Sequence, residues 1–377
     1  MQTKELESTE KKVKRKPLDY GLLIVVLILL AFGLVMVLSA SAPYSLRTEG
    51  NSYFYAEKQL KFAILGIIIM FIVSNIDYRI YKGKLADIAM IGAGLLLVAV
   101  LIPHVGITRN DATRWLGIGT FQFQPSELMK IALIIFMSAK ISKNPGKIKN
   151  FWTGLVPYLA LIGVIGGLLM FEPHMSATMI IAVIAVAIIF AAGAKMSQLV
   201  PIGVIGMIGA FFLARMKEYR WKRMIIFLDP WQDAQGDGWQ IIQSLYAIGS
   251  GGLFGVGIGK SVQKYMYIPE PHNDFIFAIL AEELGLVGVL AVMILFGLFV
   301  WRGITIALKA PDMFGTLVAV GITTMIGIQA VFSMAVVSSS MPVTGIPLPF
   351  FSYGGTALIM LLASVGVLLN ISRHATK

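Results

Sequence analysis

Apolar residues along this chain gather into ten long runs, at about 20–40, 59–75, 85–102, 125–141, 152–171, 177–193, 196–214, 275–301, 314–337 and 352–371. As helices, each crosses or nearly crosses a hydrocarbon core of roughly 30 Å. The pattern predicts an all-α fold: a polytopic membrane protein of about ten transmembrane helices. One large extracytoplasmic loop, residues 215–274, separates the seventh from the eighth. No repeat of 20–50 residues is visible, so solenoid and propeller architectures are excluded.

Composition agrees. Of 377 residues 57% are hydrophobic and 14% charged, with a mean hydropathy of +0.80. A soluble domain of this length has no core large enough for so much apolar surface. The absence of cysteine rules out a disulfide frame, a thiol nucleophile and a Cys-based metal site. A net charge of +11 raises the idea of nucleic acid, but basic cytoplasmic loops account for it better. Residues 1–17 read as a disordered basic cytoplasmic tail held near anionic lipid, and 18–377 as one transmembrane domain.

Lys and Arg in the short connections set the orientation. With the N-terminus inside, the inner segments carry Arg79, Lys82, Lys84, Lys140, Lys143, Lys147, Lys149, Lys195, Arg302, Lys309 and Arg373. The outer short loops carry far fewer, so both termini are expected in the cytoplasm. The 215–274 loop is basic at its start, but long loops cross regardless of charge.

Ionisable groups at or near bilayer depth are functional candidates. Gln124-Pro125-Ser126 suits a helix start, and a spacing of three puts Glu127 and Lys130 on one face of that helix. The pair reads equally as an ion pair locking two helices or as a substrate contact. Asp274 stands where the large loop turns into the eighth helix, at the water–lipid boundary. A carboxylate there also serves as a helix cap. Glu282 and Glu283 lie more than two turns deeper, and at least one must meet a partner inside the bundle.

Arg215, Lys217, Arg220, Lys222 and Arg223 cluster just outside the seventh run. They suit anionic headgroups or, since guanidinium forks match phosphate oxygens, a diphosphate. Arg114 and Trp115, in another outer loop, are placed to join them. The glycine-rich stretch 249–261 fails as a nucleotide-binding loop, because Phe254 stands where glycine is required. It reads as a tight re-entrant or surface loop. His104, His174 and His272 lack helix-ligand spacing, which argues against a protein-only zinc site.

Taken together, several segments resemble the family of shape, elongation, division and sporulation proteins that includes FtsW, RodA and SpoVE. They are Thr113-Arg114-Trp115-Leu116; Phe123-Gln124-Pro125-Ser126-Glu127-Leu128-Met129-Lys130; Gln243-Ser244 with Ile248-Gly249-Ser250-Gly251-Gly252; the stretch from Asp274 to Gly285; and Met341-Pro342-Val343-Thr344-Gly345-Ile346-Pro347-Leu348-Pro349-Phe350 with Ser352-Tyr353-Gly354-Gly355. The resemblance implies a peptidoglycan glycosyltransferase that polymerises lipid II beside a class B penicillin-binding protein, with division or sporulation membrane proteins as further partners. It makes Asp274 the essential aspartate. It matches Glu127 and Lys130, and Arg220 and Arg223, to family motifs; with Arg114, Trp115 and Lys217 of the outer basic loops and Ser352 of the matched C-terminal stretch, these are the candidate substrate contacts. Gln263-Lys264 and Pro269-Glu270-Pro271-His272 look more like FtsW or SpoVE than RodA. There are departures: the family's Pro-Asp-x-Gly-Thr element reads Pro173-His174-Met175-Ser176-Ala177-Thr178 after Glu172, and Ser333 and Ser338-Ser339 replace the usual residues before the Pro-Val-Thr-Gly motif.

The implied chemistry is a single inverting displacement with Asp274 as general base and undecaprenyl diphosphate as leaving group. Arg114, Arg220, Arg223 and Lys130 would stabilise the phosphate charge, with or without a divalent cation (Mg or Mn). No metal ligands are assigned and no other cofactor is called for. A lipid II flippase and a non-catalytic scaffold remain as alternatives, and roles in division, sporulation and elongation stay open.

Overall fold

The computed structural model describes residues 17–109, 112–118, 121–216 and 218–375. The expected N-terminal tail, residues 1–17, lies outside them except for Pro17. Among the described residues are twelve α-helices. Ten occupy the apolar runs: α1 Tyr20–Glu49, α2 Phe54–Asn75, α3 Lys84–Val100, α4 Pro125–Lys143, α5 Val156–Phe171, α6 Met175–Ala191, α7 Met196–Arg215, α10 Ile276–Leu308, α11 Met313–Val337 and α12 Gly355–His374. The other two, α8 Glu218–Ile226 and α9 Trp239–Gly251, lie in the large loop. Five helices or helical stretches are long and apolar enough to cross a membrane on those grounds alone: α1, Phe151–Phe171, α10, α11 and α12.

Several helices, α1 most of all, extend beyond their apolar runs to polar or glycine caps. Asp19 accepts a hydrogen bond from the Leu22 amide at 2.9 Å and caps α1, while Gly50 ends it in the left-handed region. Connections alternate between the two ends of the bundle. At one end the Tyr78 hydroxyl bonds Asp312, the Tyr78 amide meets Asn370 at 2.9 Å, and Lys140 pairs with Asp87 at 2.7 Å. Arg79, Lys147, Lys149 and Arg302 belong to this end. The residues bearing on candidate chemistry gather at the other.

A small antiparallel sheet between α3 and α4 was not expected. Its strands are β1 Ile107–Arg109, β2 Ala112–Ile118 and β3 Phe121–Phe123, in the order β1-β2-β3. Three to seven residues give too little alternation to register beside helical runs. The architecture remains helical. The sheet holds Arg114 and Trp115 on its central strand, Trp115 opposite Ile107.

The glycine-rich loop turns tightly and meets a break in α10. Gly285, at φ 63° and ψ −164°, interrupts that helix. The break takes the Leu286 and Val287 amides from their own helix, and they donate to Gly252 O and Leu253 O at 2.9 and 3.1 Å. In return the Val256 and Gly257 amides donate to Glu282 O and Glu283 O, each at 3.0 Å. Four amides and four carbonyls thus satisfy one another, as a low-water environment demands. Only glycine permits this: a Cβ at 285 would stand 2.3 Å from Gly255 N.

Beside the break lies a buried polar cluster. Glu283 accepts from the Ser39 hydroxyl and pairs with Lys264 at 2.9 Å, with the two charged side chains 0% and 3% exposed. Glu282 accepts from the Ser261 hydroxyl and, at 2.8 Å, from the Val262 amide. Both deep carboxylates therefore have partners, and the loop supplies most of them.

Candidate active site

The end of the bundle opposite Tyr78 is held by a chain of polar contacts running from β2 to α10. It begins at α4, where Pro125 occupies the first turn and Glu127 and Lys130 follow on one face. The Lys130 ammonium sits 2.8 Å from Glu127 Oε1 and is 2% exposed, whereas Glu127 is 18% exposed. The ion pair forms as the spacing predicts, with its cation sealed and its carboxylate partly open.

Next come the tight turn between α5 and α6 and the central strand. Arg114 Nε donates to Glu172 O at 3.3 Å, and its terminal nitrogen donates to Pro173 O. Glu172 is buried and burial raises its pKa to about 8, opposed by the Arg114 guanidinium. His174, directly before α6, is buried too. Burial first, then Arg114 and Lys130, holds its imidazole at about 3, so the ring is uncharged. The family's aspartate is thus replaced by a neutral side chain between two cations. Sequence reasoning recorded the departure but passed over Glu172; an acid in an outer turn free of Lys and Arg was the available signal.

The line continues through Ser176, whose hydroxyl donates to Thr344 O. Gly345 follows at φ +64°, and a Cβ there would lie 3.0 Å from Asp274 Oδ2. The half-buried Asp274 carboxylate therefore rests against bare backbone at the mouth of α10. Gly345→Ala is expected to cost about 1–2 kcal/mol in backbone strain and to push the carboxylate aside. The check is a turnover falling at least about tenfold while melting shifts by only a few degrees.

Two clamps fix the backbone just before Asp274. The Ser352 hydroxyl donates to Asn273 O and accepts from the Leu348 amide, both at 2.8 Å. The Tyr353 amide donates to His272 O at 2.9 Å, while the buried Gln59 amide group bonds Ser352 O and Gly354 N, each at 3.2 Å. Tyr44, Tyr55 and Tyr353 pack their rings around His272, with centroids 4.5–5.7 Å from it. Burial lowers the pKa of His272 to about 4.

Of the candidate residues, Glu127 pairs with Lys130 on α4, Arg114 holds the turn before α6 with Trp115 beside it on β2, and Asp274 lies against Gly345. Ser352 is committed to backbone partners. Lys217 lies outside the described residues, and of Arg220 and Arg223 only the backbone on α8 is described. Among the described residues no group of three or more His, Asp or Glu side chains is gathered to hold a metal ion.

The family model for the cell cycle proteins FtsW, RodA and SpoVE matches residues 20–377. The chain belongs to this family. It is 46% identical to the stage V sporulation protein E of Bacillus subtilis (strain 168), over 96% of this chain and 99% of that protein. It is 41% identical to the probable peptidoglycan glycosyltransferase FtsW of Geobacter sp. (strain M18), over 94% and 96%. Among solved structures, a chain from a peptidoglycan synthase complex that coordinates polymerization and crosslinking superposes with a TM-score of 0.78 at 30% identity, covering 96% of this chain and 99% of that one. The rod shape determining protein RodA of Thermus thermophilus gives 0.68 at 28% identity, over 96% and 98%. The family thus extends over the whole helical bundle and the large loop.

Proposed function

We propose that this chain is a peptidoglycan glycosyltransferase that joins lipid II units into glycan strands and releases undecaprenyl diphosphate. The observation that carries this reading is the placement of Asp274. Its carboxylate lies at the mouth of α10 against Gly345, next to Thr344, whose carbonyl accepts from Ser176 of α6, and Arg114 holds the turn that enters that helix. A base and cations are what glycosyl transfer from a diphosphate needs. Asp274 takes the proton of the attacking C4 hydroxyl as it reaches the anomeric carbon of a second unit. Arg114 and Lys130 meet the charge on the departing diphosphate, and Arg220 and Arg223 are proposed to add to them. Glu127 holds Lys130 in place, and Ser352 positions Asp274.

The basic end of the bundle is assigned to the cytoplasm and the Asp274 end to the outer face, since Lys and Arg concentrate in the short connections of the former. A class B penicillin-binding protein is the partner proposed, in keeping with the synthase complex found for a structural relative. Division is the process proposed. Spore cortex synthesis is the alternative favoured by the identity to a sporulation protein, and the position of a tagged chain in dividing and sporulating cells decides between them.

The test is polymerisation by the purified chain with its transpeptidase, supplied with lipid II in detergent. Glycan strands are expected. Detergent makes substrate accessible without flipping, so a flippase or a scaffold yields none.

A further inference from the structure

Glu172 is 1% exposed, yet neither of its carboxyl oxygens has a hydrogen-bond partner among the described residues. Its main-chain carbonyl is held by Arg114, as is that of Pro173. The carboxyl is therefore rooted at the contact of the very guanidinium assigned to the diphosphate. A buried carboxylate without donors is costly, and the inexpensive remedy is to keep its proton. Burial raises its pKa to about 8, and the Arg114 guanidinium opposes that rise. From the elements around it come Arg114 on β2, the Lys130–Glu127 pair on α4, and the neutral His174 at the start of α6. The last turn of α5 carries no basic residue.

We infer that Glu172 is a positioning residue for the diphosphate: as a neutral acid it leaves the Arg114 guanidinium to the ligand, and as a carboxylate it draws that guanidinium inward and repels the phosphates. This rests on the proposed reading of the site as one for a lipid-linked diphosphate. Below the Glu172 pKa the site is competent. As pH rises through it the carboxyl ionises, and affinity falls by about tenfold per pH unit beyond it where the ionised form does not bind. The ligand supplies no competing titration, because each phosphate of a sugar–diphosphate–lipid carries one ester and one anhydride bond and keeps only a single, strongly acidic hydroxyl.

The experiment measures the Kd of a short-chain prenyl diphosphodisaccharide for the purified full chain between pH 6.5 and 9.5. Wild type is expected to hold its affinity to about pH 8 and lose about tenfold by pH 9 to 9.5. Glu172→Gln cannot ionise, so its ratio of affinities between pH 9.5 and 7 is expected to stay near one. A flat wild-type profile overturns the inference even if the variant fails to fold. An equal alkaline loss in both proteins overturns it as well, while leaving the diphosphate site standing. Absence of binding by wild type at pH 7 overturns the site and this role together.

Discussion

Asp274→Asn is expected to leave a folded chain, still able to bind its transpeptidase, that makes no detectable glycan from purified lipid II. Loss of a general base costs about 10²–10⁴ in rate. The substitution keeps the shape of the side chain against Gly345, where a Cβ already finds only 3.0 Å to the carboxylate oxygen. Packing is spared and proton acceptance is removed. Asp274→Ala should lose as much activity, and both should elute and melt like wild type. Full polymerisation by Asp274→Ala would remove the residue from the chemistry. A loss shared equally by turnover and thermal stability would make it a cap and nothing more.

A second large effect is expected far from the sugar. Lys264→Met should destabilise the chain by about 3–5 kcal/mol, because it strands Glu283 as an uncompensated charge in a dry interior. The pair is 2.9 Å apart and almost entirely buried, so solvent screening gives no relief. Adding Glu283→Gln to Lys264→Met should recover much of the loss, since glutamine still accepts from Ser39 and needs no counter-charge. Denaturation of the four members of this cycle in detergent measures the coupling. Additive losses would show that the two side chains contribute independently.

Much of this structure is written in one property of the chain. Ten helices follow from apolar runs because lipid rewards length and hydrophobicity and tolerates little else. Glu127 and Lys130 were legible because helix geometry alone brings residues three apart together. The need of Glu282 or Glu283 for a partner was legible as well, but Lys264 and Ser39 were not, because tertiary contacts across such separations carry no local period. The sheet that presents Arg114 escaped notice for want of length. Gly345 as the seat of Asp274 depends on a positive φ, which no single sequence announces. The basic stretch after α7 was legible by its charge and by the family resemblance, and its position relative to Asp274 rests on side chains outside the described set.

The reciprocal bonding of residues 252–257 with the break in α10 bears on how the segment can vary. Its side chains Leu253, Phe254, Val256 and Ile258 are exposed, so one apolar residue there can replace another at small cost. Its spacing is another matter. An insertion or deletion of a single residue would slip the register and leave backbone donors and acceptors facing hydrocarbon, at several kcal/mol each. Descendants of this chain are free to respell the hairpin but not to change its length.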